Sequence, residues 1–409
     1  MAASAEASGV RSAAGRDAPG GLGHDRLGPL IGVVAGEASG DFLGAHLMAA
    51  LRRRMPGVHF AGMGGPRMEA EGLDSWYPME RLAVRGYAEV LRHYPGLVAM
   101  RRELGSRLVA QKPDLFIGID APDFNLGLER RLKRARIPTL HYVSPSIWAW
   151  RGGRIRSIGR AVNHMLVLFP FEQPIYERAG IPATFVGHPM ADQIPAADQT
   201  AAAREQLRLS PGDTVVALLP GSRQSELQYH ADVFVRTARM MAAKRPELRF
   251  LVPLVSRQTR EIFEAALYGQ DAAHLPLTVL FGHAREALAA CDAALVASGT
   301  ATLETALLRK PMVIAYRMAK SSWRIMKRMR YQPWVGLPNI IAGEFVVPEL
   351  LQDEAVPENL SQAMLNLLAD PQVKRRVTRR FGELHRVLRQ GAADKAAQAV
   401  LGCLKRGVS

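Results

Sequence analysis

Only two cysteines, Cys291 and Cys403, occur in 409 residues, with no C-x-x-C spacing. That excludes a disulfide framework and a cysteine-built zinc site, and it fits a reducing compartment. No apolar run approaches the roughly 18 residues of a membrane-spanning helix. Residues 1–28, rich in Ala, Gly and Ser, lack the apolar core of a signal peptide. They are expected to form a disordered extension of a protein that is neither secreted nor integral to a membrane. Neither G-x-G-x-x-G nor G-x-x-x-x-G-K-[ST] occurs, which argues against nicotinamide redox chemistry and P-loop hydrolysis. Acidic residues are also short: 38 Asp and Glu face 53 Lys and Arg, a net charge of +15. Such a surface attracts polyanions, whether nucleic acid, lipid headgroups or phosphorylated metabolites.

The length exceeds the roughly 250–300 residues at which one core stops growing, so two domains are expected. Short apolar runs at 30–35, 58–63, 114–119, 139–143, 165–169 and 184–186 alternate with segments of helical spacing, such as Leu43, Leu47 and Leu51. The polar stretch 192–204 breaks the series. A second series of strands follows at 214–219, 249–253, 277–280, 293–296 and 312–315, and 392–405 reads as a terminal helix. Continuous apolar strands alternating with helices predict doubly wound parallel α/β domains. Their ligands bind at the carboxyl ends of the strands.

Several strand-end loops there are suited to chemistry. "LLPGSRQSE" ends a strand and opens a helix, so the N–H groups of Gly221, Ser222 and Arg223 and the Arg223 guanidinium suit a phosphate; a plain capping turn is the alternative. "ASGTATLE" repeats the plan with Ser298, Gly299 and Thr300, and Glu304 one turn in can accept ribose hydroxyls or cap Thr300 or Thr302. D-x-D, the usual metal-holding pair for sugar nucleotides, is absent, so a diphosphate here needs cations and helix ends. In "GIDAPDFN" a partly desolvated Asp120 ends a strand and suits general-base work, while Asp123 is the better helix cap. Glu37, Ser39 and Asp41 of "AGEASGD" face the same cleft, with one of the two carboxylates available to cap the helix that follows. His188 lies at the crossover between domains, and Asn339 in "GLPNIIAG" offers an amide to hydroxyl or phosphate groups.

"SPSIWAW" sets Trp148 and Trp150 one residue apart before Arg151-Gly152-Gly153. Pro145 forbids a central strand there. The segment is either a packed surface loop or a loop shaped for a ligand with apolar and polar parts, contacted by Ser144, Ser146, the two indoles and Arg151. Finally, "RMAKSSWRIMKRMR" (317–330) holds six basic residues and no acidic one. At about 100° per residue, Met318, Trp323, Ile325, Met326 and Met329 share one face, and Arg317, Lys320, Arg324, Lys327 and Arg328 the other. That is the layout of a helix lying on anionic lipid, or of a core helix with a solvated face. No nucleic-acid-binding motif accompanies the charge, so no nucleic-acid partner is expected.

Taken in order, "AGEASGD" (35–41), "GPRMEAEG" (65–72), "GIDAPDFN" (118–125), "HYVSPSIWAW" (141–150), "GHPMAD" (187–192), "LLPGSRQSE" (218–226), "ASGTATLE" (297–304) and "LPNIIAG" (337–343) resemble the lipid-A-disaccharide synthases. These are GT-B-fold glycosyltransferases of Gram-negative lipopolysaccharide assembly. The resemblance spans Leu30 to Leu401 and leaves out only the N-terminal extension.

It implies two Rossmann-like domains across a cleft: 29–190 for the acceptor, 191–385 for the UDP-sugar, with 386–409 a helix packing back on the first. It also implies the reaction. UDP-2,3-diacylglucosamine gives its sugar to the 6-hydroxyl of 2,3-diacylglucosamine 1-phosphate, with inversion and without metal or other cofactor, at the inner face of the cytoplasmic membrane. Asp120 matches the family's base. Arg223 and the N–H groups of 221–223 and 298–300 would balance the departing UDP, Glu304 would hold ribose, and Asn339 would lie near the diphosphate. Trp148 and Trp150 would meet an acyl-glucosamine, with Arg151 or Arg154 on its polar groups. The competing readings are a UDP-N-acetylglucosamine 2-epimerase, another GT-B enzyme, or a non-catalytic binder of lipid or nucleic acid.

Overall fold

A computed structural model describes residues 28–82, 87–148, 152–329 and 332–407. The apolar runs become two parallel sheets. The first contains β1 (Leu30–Ala35), β2 (His59–Gly64), β3 (Leu73–Pro78), β4 (Leu115–Ile119), β5 (Thr139–Tyr142), β6 (His164–Val167) and β7 (Ala183–Phe185), in the order β3-β2-β1-β4-β5-β6-β7. β1, β4 and β5 are buried along their whole length. Helices cover both faces of such a sheet, so its central strands must be apolar throughout.

The second sheet contains β8 (Thr214–Leu219), β9 (Leu248–Leu254), β10 (Leu277–Phe281), β11 (Ala293–Ala297), β12 (Met312–Tyr316) and β13 (Glu349–Leu351), in the order β10-β9-β8-β11-β12-β13. In each lobe the strand order reverses once, between β1 and β4 and between β8 and β11. These reversals are where open α/β sheets leave a crevice for ligand.

Two strands escaped the sequence reading. In β3 only Leu73 is buried, and β13 is half-buried along its three residues. Both sit at a sheet edge, where partial exposure removes the continuous apolar signal. The polar stretch 192–204 is anchored rather than a plain break, because the helices Pro189–Gln193 and Thr200–Gln206 occupy it. Arg204 is buried there and donates to Ala290 O at 3.0 Å, to Pro211 O at 2.6 Å and to Asp292 Oδ2 at 2.9 Å. Of the expected N-terminal extension, residues 1–27 lie outside the described residues.

The chain passes between lobes twice at one place. His188 N–H donates to Leu388 O at 2.9 Å, and His385 Nε2 lies 2.8 Å from Ala191 O. Gly187 has φ +91°, and a Cβ there would sit 2.7 Å from Leu388 O, so the crossing requires glycine. Asp192 accepts from the N–H groups of Gly391 and Ala392 at 2.9 and 2.7 Å and so starts the last helix, Ala392–Gly407. That helix packs on Ala38–Arg54 of the first lobe, where Asp394 pairs with Arg53 and Arg54. Leu388, Ala396 and Val400 thereby join the first lobe's core, which Leu303 and Leu307 of the second lobe also reach.

Candidate active site

Asp120 follows β4 at the first reversal point, half-buried, with its backbone N–H donated to Tyr142 O at 2.9 Å. Asp120 and Ala121 both have left-handed backbone, φ +53° and +42°, and Val143 at the end of neighbouring β5 has φ +82°. Each such non-glycine residue costs on the order of 1–3 kcal/mol, a cost that concentrates at functional loops. Ser39 Oγ stands 3.5 Å from Asp120 Oδ2. Glu37 is exposed at the start of the helix Ala38–Arg54 and makes no capping bond. Together, Glu37, Ser39 and Asp120 form one polar rim across the ends of β1 and β4.

Asp41 is not part of that rim. Its buried carboxylate accepts from the N–H groups of Gly65, Arg67 and Met68 at 2.9, 3.2 and 3.0 Å. It caps the helix Pro66–Ala70, not the helix that follows it in sequence. Asp123 does not cap its own helix either: Ala121 holds the N-cap position of the helix Pro122–Arg134, and Asp123 pairs with Arg154.

The tryptophan loop is more packed than its sequence suggests. Ser144 is buried and shares a 2.8 Å hydrogen bond with Tyr176 Oη, so its hydroxyl is not offered to a ligand. Trp148 donates its indole N–H to Glu172 Oε1 at 3.0 Å and meets Phe171 edge-on at 5.2 Å. Its polar edge is therefore spent inside the protein, while half-burial leaves part of the ring open. Ser146 is exposed. Trp150 and Arg151 lie outside the described residues. His188 is half-buried and stacks on Phe169 at 5.7 Å, and Nδ1 accepts the Met190 N–H at 3.2 Å. Burial pushes its pKa down to about 4, so at neutral pH it is a neutral imidazole and not a cation.

In the second lobe the two strand-end loops differ. After β8, the carboxylate of Glu226 accepts from the N–H groups of Ser222 and Arg223 at 2.8 and 3.2 Å. Those two donors, expected to hold phosphate, are already engaged by an internal anion. Gly221 has φ +128°, and a Cβ there would press on Glu226 Oε2 at 2.7 Å. The Arg223 side chain remains 80% exposed, its Nη1 3.6 Å from Glu226 Oε1. After β11, by contrast, Gly299 (φ +153°) opens the helix Thr300–Leu307 with no side-chain cap. A Cβ at Gly299 would meet nothing within 4 Å. This helix end, with its dipole unbalanced by a capping carboxylate, is the better anion seat. Ser298 lies beside it, Oγ 3.4 Å from Val335 O. Glu304 caps neither Thr300 nor Thr302; its carboxylate faces Arg285 Nε at 3.5 Å.

Asn339 does not reach a ligand. It is fully buried, donates to Val347 O at 2.9 Å and Glu349 Oε1 at 2.8 Å, and accepts from Val346 and Val347 N–H at 2.9 and 3.0 Å. All its hydrogen-bonding capacity is used in shaping the 335–349 segment. The sequence reading also missed His230, which is buried on the helix Gln224–Lys244; its Nε2 accepts the Arg317 N–H at 2.9 Å. It ties the helix Gln224–Lys244 to the start of the basic segment. Nothing in the local sequence signals a partner 87 residues away.

That segment forms the helix Lys320–Met329. Arg324, Lys327 and Arg328 are exposed, Trp323 and Met326 are half-buried, and neither apolar side chain belongs to a described hydrophobic core. Its cationic face is thus open to solvent, as both readings of the segment require. Among the described residues, no helix is long and apolar enough to cross a membrane.

Comparison with known proteins places this geometry. The family described as lipid-A-disaccharide synthetase matches residues 31–400. The lipid-A-disaccharide synthase of Methylobacillus flagellatus is 54% identical over 92% of this chain and 100% of its own. That of Azoarcus sp. strain BH72 is 54% identical over 94% of this chain and 98% of its own. In fold, the chain resembles the UDP-GlcNAc 2-epimerase of Neisseria meningitidis bound to UDP-GlcNAc, with TM-score 0.61, 11% identity, and coverage of 92% of this chain and 100% of that one. It equally resembles the kitacinnamycin glycosyltransferase, with TM-score 0.61, 17% identity, and coverage of 92% and 99%. Two parallel α/β lobes of the GT-B type, with a family match along nearly all of the described chain, make it a member of the lipid-A-disaccharide synthase family.

Proposed function

We propose that the chain transfers the diacylglucosaminyl group of UDP-2,3-diacylglucosamine to the 6-hydroxyl of 2,3-diacylglucosamine 1-phosphate, forming a β-1,6-linked disaccharide 1-phosphate and UDP without a metal. The observation that carries this reading is the pairing of two strand-end sites. One is a carboxylate, Asp120, on a strained turn at the β1/β4 reversal. The other is an uncapped helix N-terminus at Gly299-Thr300, at the β8/β11 reversal.

In this mechanism Asp120 takes the proton of the acceptor hydroxyl as that oxygen attacks the anomeric carbon. The bond from that carbon to the diphosphate oxygen breaks, and its electron pair leaves with UDP. Positive charge builds on the sugar ring in the transition state, so a nearby carboxylate also stabilises it. The Arg223 guanidinium and the N–H groups at the start of the helix Thr300–Leu307 receive the diphosphate charge. Glu304 accepts the ribose hydroxyls beside Arg285. Glu37, Ser39 and the open face of Trp148 border the acceptor.

Both substrates carry acyl chains, and the basic helix Lys320–Met329 supplies a means of reaching them. Its exposed cations lie on lipid phosphates while Trp323 and Met326 enter the interface, at the cytoplasmic face of the membrane. The 2-epimerase reading leaves that helix without a role. The test is a detergent-micelle assay of both substrates without added metal, read by mass spectrometry. A disaccharide 1-phosphate with stoichiometric UDP supports the proposal; an isomerised UDP-sugar with no disaccharide overturns it.

A further inference from the structure

We infer that Asn125 is the positioning residue that aims the Asp120 carboxylate; the inference rests on the reading of Asp120 as the base. Asn125 is completely buried on the helix Pro122–Arg134. Its Nδ2 lies 2.9 Å from Asp120 O, 3.3 Å from Ile119 O and 3.3 Å from Val34 O. Three carbonyl oxygens around one nitrogen fix the orientation of the amide, since only the –NH₂ end can face acceptors. The three carbonyls belong to Val34 near the end of β1, to Ile119 at the end of β4 and to Asp120 just after it, at the point where the strand order reverses. One side chain therefore pins both strand ends and the residue between strand and helix.

The need for this pin comes from the backbone. At φ +53° the Asp120 carbonyl leaves the β-ladder direction and points toward the helix, and Ala121 continues in the same left-handed region. No glycine relieves either position. The turned-in carbonyl is a part-buried acceptor, and the buried Asn125 Nδ2 supplies its donor. The backbone N–H of Asn125 also donates to Ala121 O at 3.0 Å, so side chain and main chain hold consecutive residues of the same turn. Gly118 leaves the room: a Cβ there would stand 3.1 Å from Asn125 Cβ and 3.2 Å from its Cγ. Asn125 Oδ1 has no partner among the described residues, so the amide acts here through its donor end.

Asn125 touches no substrate; it acts through Asp120. A misplacement of the base by about 1 Å costs on the order of 100-fold in turnover. Asn125→Ala is therefore expected to lower kcat by about 100-fold, with UDP affinity and donor KM near wild type, because both belong to the other lobe. Asn125→Ser, which keeps one donor, is expected to fall between Ala and wild type.

Combining Asn125→Ala with Asp120→Asn tests the route of action. The double variant is expected to be no slower than Asp120→Asn alone. Near-wild-type kcat in folded Asn125→Ala, or losses that multiply in the double variant, overturns the inference while leaving the base reading intact. Wild-type turnover in Asp120→Asn overturns the base reading, and this inference with it. If neither Asn125→Ala nor Asn125→Ser folds, the side chain is a structural staple and the inference is overturned.

Discussion

Trp148 donates its indole N–H to Glu172 at 3.0 Å, and the same carboxylate accepts the N–H groups of Leu168 and Phe169 at 3.1 and 2.9 Å. One buried acid thus clamps the tryptophan loop after β5 to the loop after β6. Burial pushes the Glu172 pKa up to about 7, against the pull of the hydrogen bonds it accepts.

A pKa raised on folding means that the native state holds the proton more tightly than the unfolded chain. Glu172 therefore favours the fold most below its ordinary 4.5, and this contribution is lost as pH rises to about 7. His188 acts in the opposite sense. Its depressed pKa favours the fold above its ordinary 6.5, a contribution lost as pH falls toward about 4. Between 4.5 and 6.5 the two slopes oppose each other. Relative to wild type, His188→Asn is expected to show Tm falling more steeply as pH rises from 4.5 to 7. Glu172→Gln is expected to show Tm rising more steeply from 4 to 6.5. Calorimetry across this range checks both signs.

Asp120→Asn keeps the shape of the side chain and removes its basicity. Turnover is expected to fall by about 10²–10⁴-fold, with UDP binding unchanged by titration calorimetry. Retained turnover assigns the proton to another group.

Arg223 is exposed and held only loosely by Glu226, so it is free to meet a diphosphate. Loss of a charge-assisted hydrogen bond costs about 1.5–3 kcal/mol, which predicts UDP binding weaker by roughly 10–150-fold in Arg223→Ala. An unchanged Kd removes Arg223 from the leaving-group site.

Asn339→Ala deletes four internal hydrogen bonds, and the Val346 and Val347 N–H groups lose their acceptor. A cost of about 2–4 kcal/mol in stability is expected, seen as a lower midpoint in urea. If stability is unchanged and only UDP affinity drops, Asn339 contacts the nucleotide after all.

Lys327→Ser with Arg328→Ser removes two exposed cations from the helix Lys320–Met329. At about 1 kcal/mol each near an anionic surface, binding to phosphatidylserine vesicles is expected to weaken by roughly 30-fold. Tm should stay put, since neither side chain is packed. Equal vesicle binding by variant and wild type excludes this helix as the lipid contact.

The sequence made the strands legible, together with the two strand ends proposed to meet the substrates. Apolar runs such as Leu30–Ala35 and Leu115–Ile119 are local patterns that a parallel sheet demands, and Asp120 and Gly299 were found because each ends such a run. The fate of polar side chains was not legible in the same way. The motif places Asp41 in the cleft, yet its carboxylate caps a helix 24–27 residues away. The motif offers the Asn339 amide to a diphosphate, whereas its hydrogen bonds close its own segment. Nothing in the sequence marks Glu226 as the acceptor that consumes the Ser222 and Arg223 N–H donors.

What the sequence alone determined is therefore the succession of elements and the types of residue delivered to the strand ends. Side-chain periodicity and turn chemistry act over a few residues and are written in order along the chain. Tertiary structure alone decided which of those polar groups remain free for a ligand. A buried donor or acceptor must be satisfied, and its partner is whatever group the fold brings near. For His230 and Arg317 that partner lies 87 residues away; for Trp148 and Glu172 it lies 24.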